Sequence, residues 1–106
     1  PSAIFAANDQ IAIALYRAAA SVGLNVPRDL AVVGFDNLDI AAQLDPPLTT
    51  IAQQFVEIGR KAAEVLILRI EGDTRRNLQI TIPPELIVRG SCLTSTNPAK
   101  AFADRV

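Results

Sequence analysis

Short unbroken apolar runs alternate along the chain with longer stretches in which apolar residues recur every three or four positions. "AIFAA" (3–7) and "LAVVGF" (30–35) are of the first kind. Continuous rather than alternating runs suit parallel strands covered on both faces. Residues 9–22, between them, are of the second kind. Ile11, Ala14, Leu15, Ala18 and Val22 fall on one side of a 3.6-residue wheel, which predicts the buried face of a helix. Gly23 can end that helix in the left-handed conformation, and Pro27 lies beyond it, as after a helix end. The pattern predicts strand, helix, strand, joined by a right-handed crossover.

A short helix is expected at about 38–44, followed by "DPPLTTI" (45–51), a turn running into an extended segment. Residues 54–71 give the clearest helical pattern, with Phe55, Ile58, Ala62, Val65, Leu66, Arg69 and Ile70 at helical spacing. Glu57 and Lys61 stand as a favourable i,i+4 pair. "EGDTRRN" (71–77) reads as a polar turn, "LQITI" (78–82) alternates as a strand does, and "ELIVRG" (85–90) is a further extended run. Between the last two stands Pro83-Pro84. A double proline cannot occupy a central strand, so it marks an edge or a crossing between two bodies. From about Ser91 the pattern is lost, and residues 92–106 are expected to form a tail, mobile or ending in a short helix.

Composition changes this picture in two ways. The 106 residues suffice for one core. Half of them are hydrophobic, with mean hydropathy +0.28, although small domains bury a smaller fraction of their surface than large ones. Part of that apolar surface is therefore expected to meet another chain or segment. The chain also opens on Pro1 and enters a strand almost at once, as a piece of a longer protein would.

Charge and reactive residues mostly exclude. Net charge is −1, and the doublet Arg75-Arg76 is expected to be a solvated turn rather than a nucleic-acid footprint. The single Cys92 allows no internal disulfide, fits a reducing compartment and is expected to be an inert thiol. Without histidine no zinc-type ligand set can be built. No run approaches the roughly 18 apolar residues of a membrane span, and no signal peptide is visible. No cofactor, metal or membrane partner is expected.

The candidate chemistry lies in "FAANDQIA" (5–12) and "VVGFDN" (32–37), where a carboxylate and an amide follow an apolar run with no Lys or Arg beside them. Asn8 or Asp9 can simply cap the following helix, and Asp36-Asn37 can be an ordinary strand-to-loop turn. The alternative rests on topology. Ligands of open parallel sheets bind outside the carboxyl ends of the strands, where Asn8 and Asp36 stand. A carboxylate accepts from hydroxyls while an amide donates and accepts, which suits a polyol or nucleoside-like ligand better than an anion. An enzyme is disfavoured. There is no histidine for a triad and no glycine-rich phosphate loop, and Asp36 lacks a second acid once Asp9 is read as a cap.

"ANDQIA", "VVGFDN", "PPLTTI", "GRKAAEVLI" and "PPELIVRGS", in that order and spacing over roughly residues 1–91, resemble the C-terminal part of LacI/GalR-family bacterial transcription regulators. The resemblance implies an α/β fold like that of periplasmic sugar-binding proteins: a parallel sheet with flanking helices, the chain crossing between two lobes around a cleft. Residues 1–51 would belong to the C-terminal lobe. Residues 52–82 would be a crossover near Ala52–Gln54 followed by a helix and strand of the N-terminal lobe, and residues 83–91 would return. It further implies an effector, commonly a sugar, facing Asn8 and Asp36, with Gln53 and Phe55 at the second crossover. Phe55 could equally pack in a core and Gln53 equally satisfy a hinge backbone, while Asp9 is left as a cap. Ile13, Tyr16 and Ala20, opposite the stripe read as core, would form a homodimer contact; exchange of residues 55–82 about the crossover at Ala52–Gln54 is the alternative route to a dimer.

The expected function is effector binding and dimerisation within a cytoplasmic repressor. Operator DNA would be met only through an N-terminal DNA-binding domain that this chain lacks. The alternative expectation is part of a transporter's periplasmic sugar-binding protein.

Overall fold

The computed structural model describes residues 1–75 and 78–92. They form two compact units, one of residues 1–52 together with 85–92, the other within Gln53–Pro84.

The first unit carries a four-stranded sheet. Its strands are β1 (Ala3–Phe5), β2 (Ala31–Phe35), β3 (Thr49–Ala52) and β4 (Glu85–Ile87), lying side by side in that order. Phe5 pairs with Val33 and Phe35 with Ile51 in parallel ladders, whereas Ile51 pairs with Leu86 antiparallel. The sheet is therefore mixed, with the parallel strands expected from the apolar runs and one antiparallel strand beside them. Helix α1 (Asp9–Ser21) joins β1 to β2, and short 3₁₀ turns occupy Asp39–Gln43 and Gly90–Cys92. Gly23, at φ +75°, follows α1 and takes the left-handed turn that a side chain would resist.

The core is built of small and branched residues: Ala6, Ala12, Ala19, Leu30, Val32, Ala41 and Leu48, with Leu15 and Tyr16 packed against them. This corrects the expected inner face of α1. Ala14 and Ala18 are exposed, Ile11 is 47% exposed and Val22 70%, while Asp9, Ala12 and Ala19 are buried. Alanines at 12 and 19 weigh the same on a helical wheel as alanines at 14 and 18, so periodicity alone could not choose between faces. The choice is made by Asp9, whose carboxylate is hydrogen-bonded inside the unit. Residues 12, 16 and 19 follow on its side of the helix at steps of three and four.

The second unit contains α2 (Phe55–Ile70), none of whose residues is buried. Glu57 and Lys61 make no direct salt bridge, although the Lys61 charge, after Arg60, helps hold the Glu57 carboxyl below its ordinary value. Arg60 bridges Glu57 and Glu64, one turn to either side, and Lys61 turns to Glu64. These pairs are exposed and contribute little to stability. Leu78–Ile82 is not a strand, contrary to its alternating pattern. A strand needs a ladder partner, and none lies among the described residues of this unit. Instead Leu78, Ile80, Thr81 and Ile82 face Ile58, Lys61, Ala62 and Val65 across a groove of about 620 Å³. In the connecting turn Arg75 pairs with Asp73 and holds its carboxyl down at about 2. Arg76 and the expected tail from residue 93 lie outside the described residues.

Candidate functional site

The parallel register sets the site. Because Phe5 lies beside Val33, Asn8 and Asp36 each stand three residues beyond a paired position on adjacent strands. Both follow the carboxyl ends of their strands, and both are partly buried.

Asn8 is the N-cap of α1. Its backbone is extended, and its Oδ1 accepts from the Ile11 N–H at 2.9 Å. Asp9, expected to be a cap, has another task. It is the first residue of α1 yet fully buried, and its carboxylate reaches away from its own helix. Oδ1 accepts from the Thr50 hydroxyl at 2.6 Å, and Oδ2 accepts from the Leu38 N–H at 2.8 Å. The position at the positive end of α1 also favours a carboxylate.

The loop after β2 turns through two left-handed residues, Asp36 at φ +106° and Asn37 at φ +54°. Such conformations are unusual outside glycine, though Asn and Asp tolerate them best. Three successive amides of the loop are secured. Asp36 N–H donates to the Ile51 carbonyl at 2.8 Å, Asn37 N–H to Thr50 Oγ1 at 3.3 Å, and Leu38 N–H to Asp9. Gly34 completes the arrangement, since a Cβ there would stand 2.2 Å from Asp9 Oδ1 and 2.9 Å from Leu48 Cδ2.

Sequence order suggested that no cation accompanies the Asp36-Asn37 pair. The fold brings one. Arg89 donates through Nη2 to Asn37 Oδ1 and through Nη1 to the Leu48 carbonyl, each at 2.8 Å. Its own backbone N–H donates to Thr49 Oγ1 at 2.8 Å. Asp9, Thr50 and Arg89 were thus missed or misassigned. The available signal was faint: an acid directly after Asn8, a threonine pair and an arginine closing an apolar run.

Gln53 and Phe55 belong to the second unit, Gln53 partly buried and Phe55 53% exposed. Of the three residues expected outward on α1, Ala20 is exposed and Ile13 partly buried. Tyr16 is a correction. Its ring packs on the core and its hydroxyl donates to the Pro46 carbonyl at 2.9 Å, which turns it inward. Burial raises its phenol above the ordinary value, partly offset by a hydrogen bond with Ser91. Cys92 is a free thiol, 3.3 Å from Thr49 Oγ1. Among the described residues there is no cluster of three or more His, Cys, Asp or Glu that could hold a metal ion. No helix among them is long and apolar enough to cross a membrane.

Residues 1–92 match the periplasmic binding protein-like domain family. The ribose operon repressor of Escherichia coli (strain K12) is 42% identical over 91 residues, which cover 86% of this chain and 28% of that protein. A LacI family transcriptional regulator from Enterococcus faecalis V583 with bound ribose superposes with TM-score 0.79 and 41% identity, covering 85% of this chain and 34% of the other. The lac repressor dimer bound to operator and the anti-inducer ONPF gives TM-score 0.81 and 35% identity, with coverage of 89% and 32%. The chain thus spans about 28% of the length of the curated relative it matches.

Proposed function

This chain belongs to the periplasmic binding protein-like domain family, in the form carried by LacI/GalR-type regulators, and we propose that it is effector-binding and dimerising sequence of a transcriptional repressor. The effector is a small carbohydrate, bound through Asn8 and Asp36. Its binding favours one conformation of the repressor over another, which requires a difference in affinity between the two states. Operator DNA is met by another part of such a repressor.

The observation that carries the reading is the pairing of Asn8 and Asp36 beyond the carboxyl ends of adjacent parallel strands. That is where open α/β sheets take ligands. A sugar suits it: Asp36 accepts from hydroxyls, and the Asn8 amide can donate while its oxygen serves the helix. The similar Enterococcus regulator holds ribose, and the similar E. coli protein is a ribose operon repressor, not an enzyme. These relatives favour a regulator over a transporter's sugar-binding protein.

Dimerisation rests on Ile13 and Ala20, about two helical turns apart on α1, without Tyr16. The lac repressor structure, a dimer, supports it. For the ligand, calorimetric titration of the full-length gene product with D-ribose tests the reading. Asp36→Ala is expected to weaken binding by about 1.5–3 kcal/mol, the range for hydrogen bonds to charged groups. Unchanged affinity in a folded variant would refute the role of Asp36.

A further inference from the structure

We propose that Asp9 is a positioning residue for the ligand site, acting with Thr50 to hold the Asp36-Asn37 turn in the conformation that presents Asp36. The inference rests on the reading that Asp36 meets the ligand, and adds to it residues that do not touch the ligand.

Both residues are fully shielded from water. The Asp9 carboxylate joins two places in the fold, the loop at Leu38 N–H and β3 at the Thr50 hydroxyl. That same hydroxyl oxygen accepts from Asn37 N–H, so Asp9 orients it: by accepting the hydroxyl's hydrogen bond, the carboxylate leaves the oxygen's lone pairs for the loop. The held segment contains two non-glycine residues at positive φ, a conformation that persists only where the surroundings over-determine it. Stabilising an exposed turn would not require a buried carboxylate, nor a glycine at 34 to make room for it. Arg89 also holds Asn37, donating through Nη2 to its Oδ1. Asp9 therefore sets the backbone path of the loop, and with it the direction of Asp36.

Two measurements test this. In the 106-residue chain, the Cα and Cβ chemical shifts of Asp36 and Asn37 report their left-handed conformation. Thr50→Val, nearly isosteric, is expected to move both towards averaged values, and Thr50→Ser to restore them. In the full-length gene product, Thr50→Val is expected to weaken D-ribose binding about tenfold, as when a buried hydrogen-bonding group loses its partner. Thr50→Ser should stay within about twofold of the parent. Asp9→Asn, which keeps shape and one acceptor, serves if Thr50→Val does not fold, and should show a smaller loss in the same direction. A lower melting temperature with unchanged shifts and unchanged ribose affinity would overturn the proposal, leaving a purely structural role. Asp36→Ala separates the two readings. If it weakens ribose binding while Thr50→Val does not, positioning fails. If neither the parent nor any variant binds ribose, ribose is not the effector, and the shifts alone decide whether Asp9 and Thr50 hold the turn.

Discussion

Thr50 donates its hydroxyl to the Asp9 carboxylate over 2.6 Å, both side chains shielded from water and 41 residues apart in the chain. This bond ties the start of α1 to β3. It also accounts for the glycine at 34, whose missing side chain leaves room for the carboxylate. Gly34→Ala is expected to destabilise the first unit by about 1–3 kcal/mol, the usual range for overpacking a filled core. Urea unfolding followed by circular dichroism measures it.

Asn8 and Asp9 are adjacent but have different tasks, so their truncations should differ. Asn8→Ala removes the cap of α1 and is expected to cost about 1 kcal/mol, whereas Asn8→Asp keeps an acceptor and should cost less. Asp9→Ala strips partners from the Thr50 hydroxyl and the Leu38 N–H. It should cost more than Asn8→Ala, with about 1–3 kcal/mol for the buried Thr50 hydroxyl and a smaller loss for the part-buried Leu38 N–H. Parallel denaturation curves check the order. If Asn8→Ala proved the more damaging, Asp9 would be no more than a helix-end residue.

Tyr16 gives a dependence on alkaline pH. Burial raises its phenol above 10.0, so the folded state favours the neutral form. The corresponding stability is fully present below the unfolded value and is lost as pH rises through the folded one. Tyr16→Phe should cost about 0.5–1.5 kcal/mol at neutral pH, through loss of the bond to the Pro46 carbonyl. The gap between the parent and Tyr16→Phe should then narrow as pH climbs above 10. Melting temperatures recorded across that range decide it, and a constant gap would refute the buried-phenol account.

Association is the fourth expectation. At high micromolar concentration the chain should scatter light as a dimer, and Ile13→Asp should shift it to monomer without loss of helical signal. The charged side chain would enter the contact proposed for the Ile13–Ala20 side of α1, where an unpaired charge is costly. A parent chain that remained monomeric would refute the contact.

Much of the local structure was legible before any tertiary information. Unbroken apolar runs marked β1 and β2, three-to-four spacing marked α1 and α2, and Gly23 marked the end of α1. These features depend on residues close in sequence, whose preferences a periodic pattern records. The places of Asn8 and Asp36 beyond strand ends were also legible, because each simply follows the end of an apolar run. What sequence order could not show was the company they keep. Asp9 looked like a cap since its partners, Leu38 and Thr50, lie 29 and 41 positions away. Asp36-Asn37 looked remote from any cation because Arg89 arrives from 52 positions beyond Asn37. The face of α1 was misjudged for the same reason: with alanines on both sides, the rotation is chosen by one buried carboxylate finding its donors. Strand character at Leu78–Ile82 failed in the opposite sense, since an alternating pattern permits a strand but only a neighbouring strand supplies its hydrogen bonds. Sequence determined the elements, which are local free-energy preferences, and tertiary structure determined the pairings, which exist only once distant parts of the chain share a space closed to water.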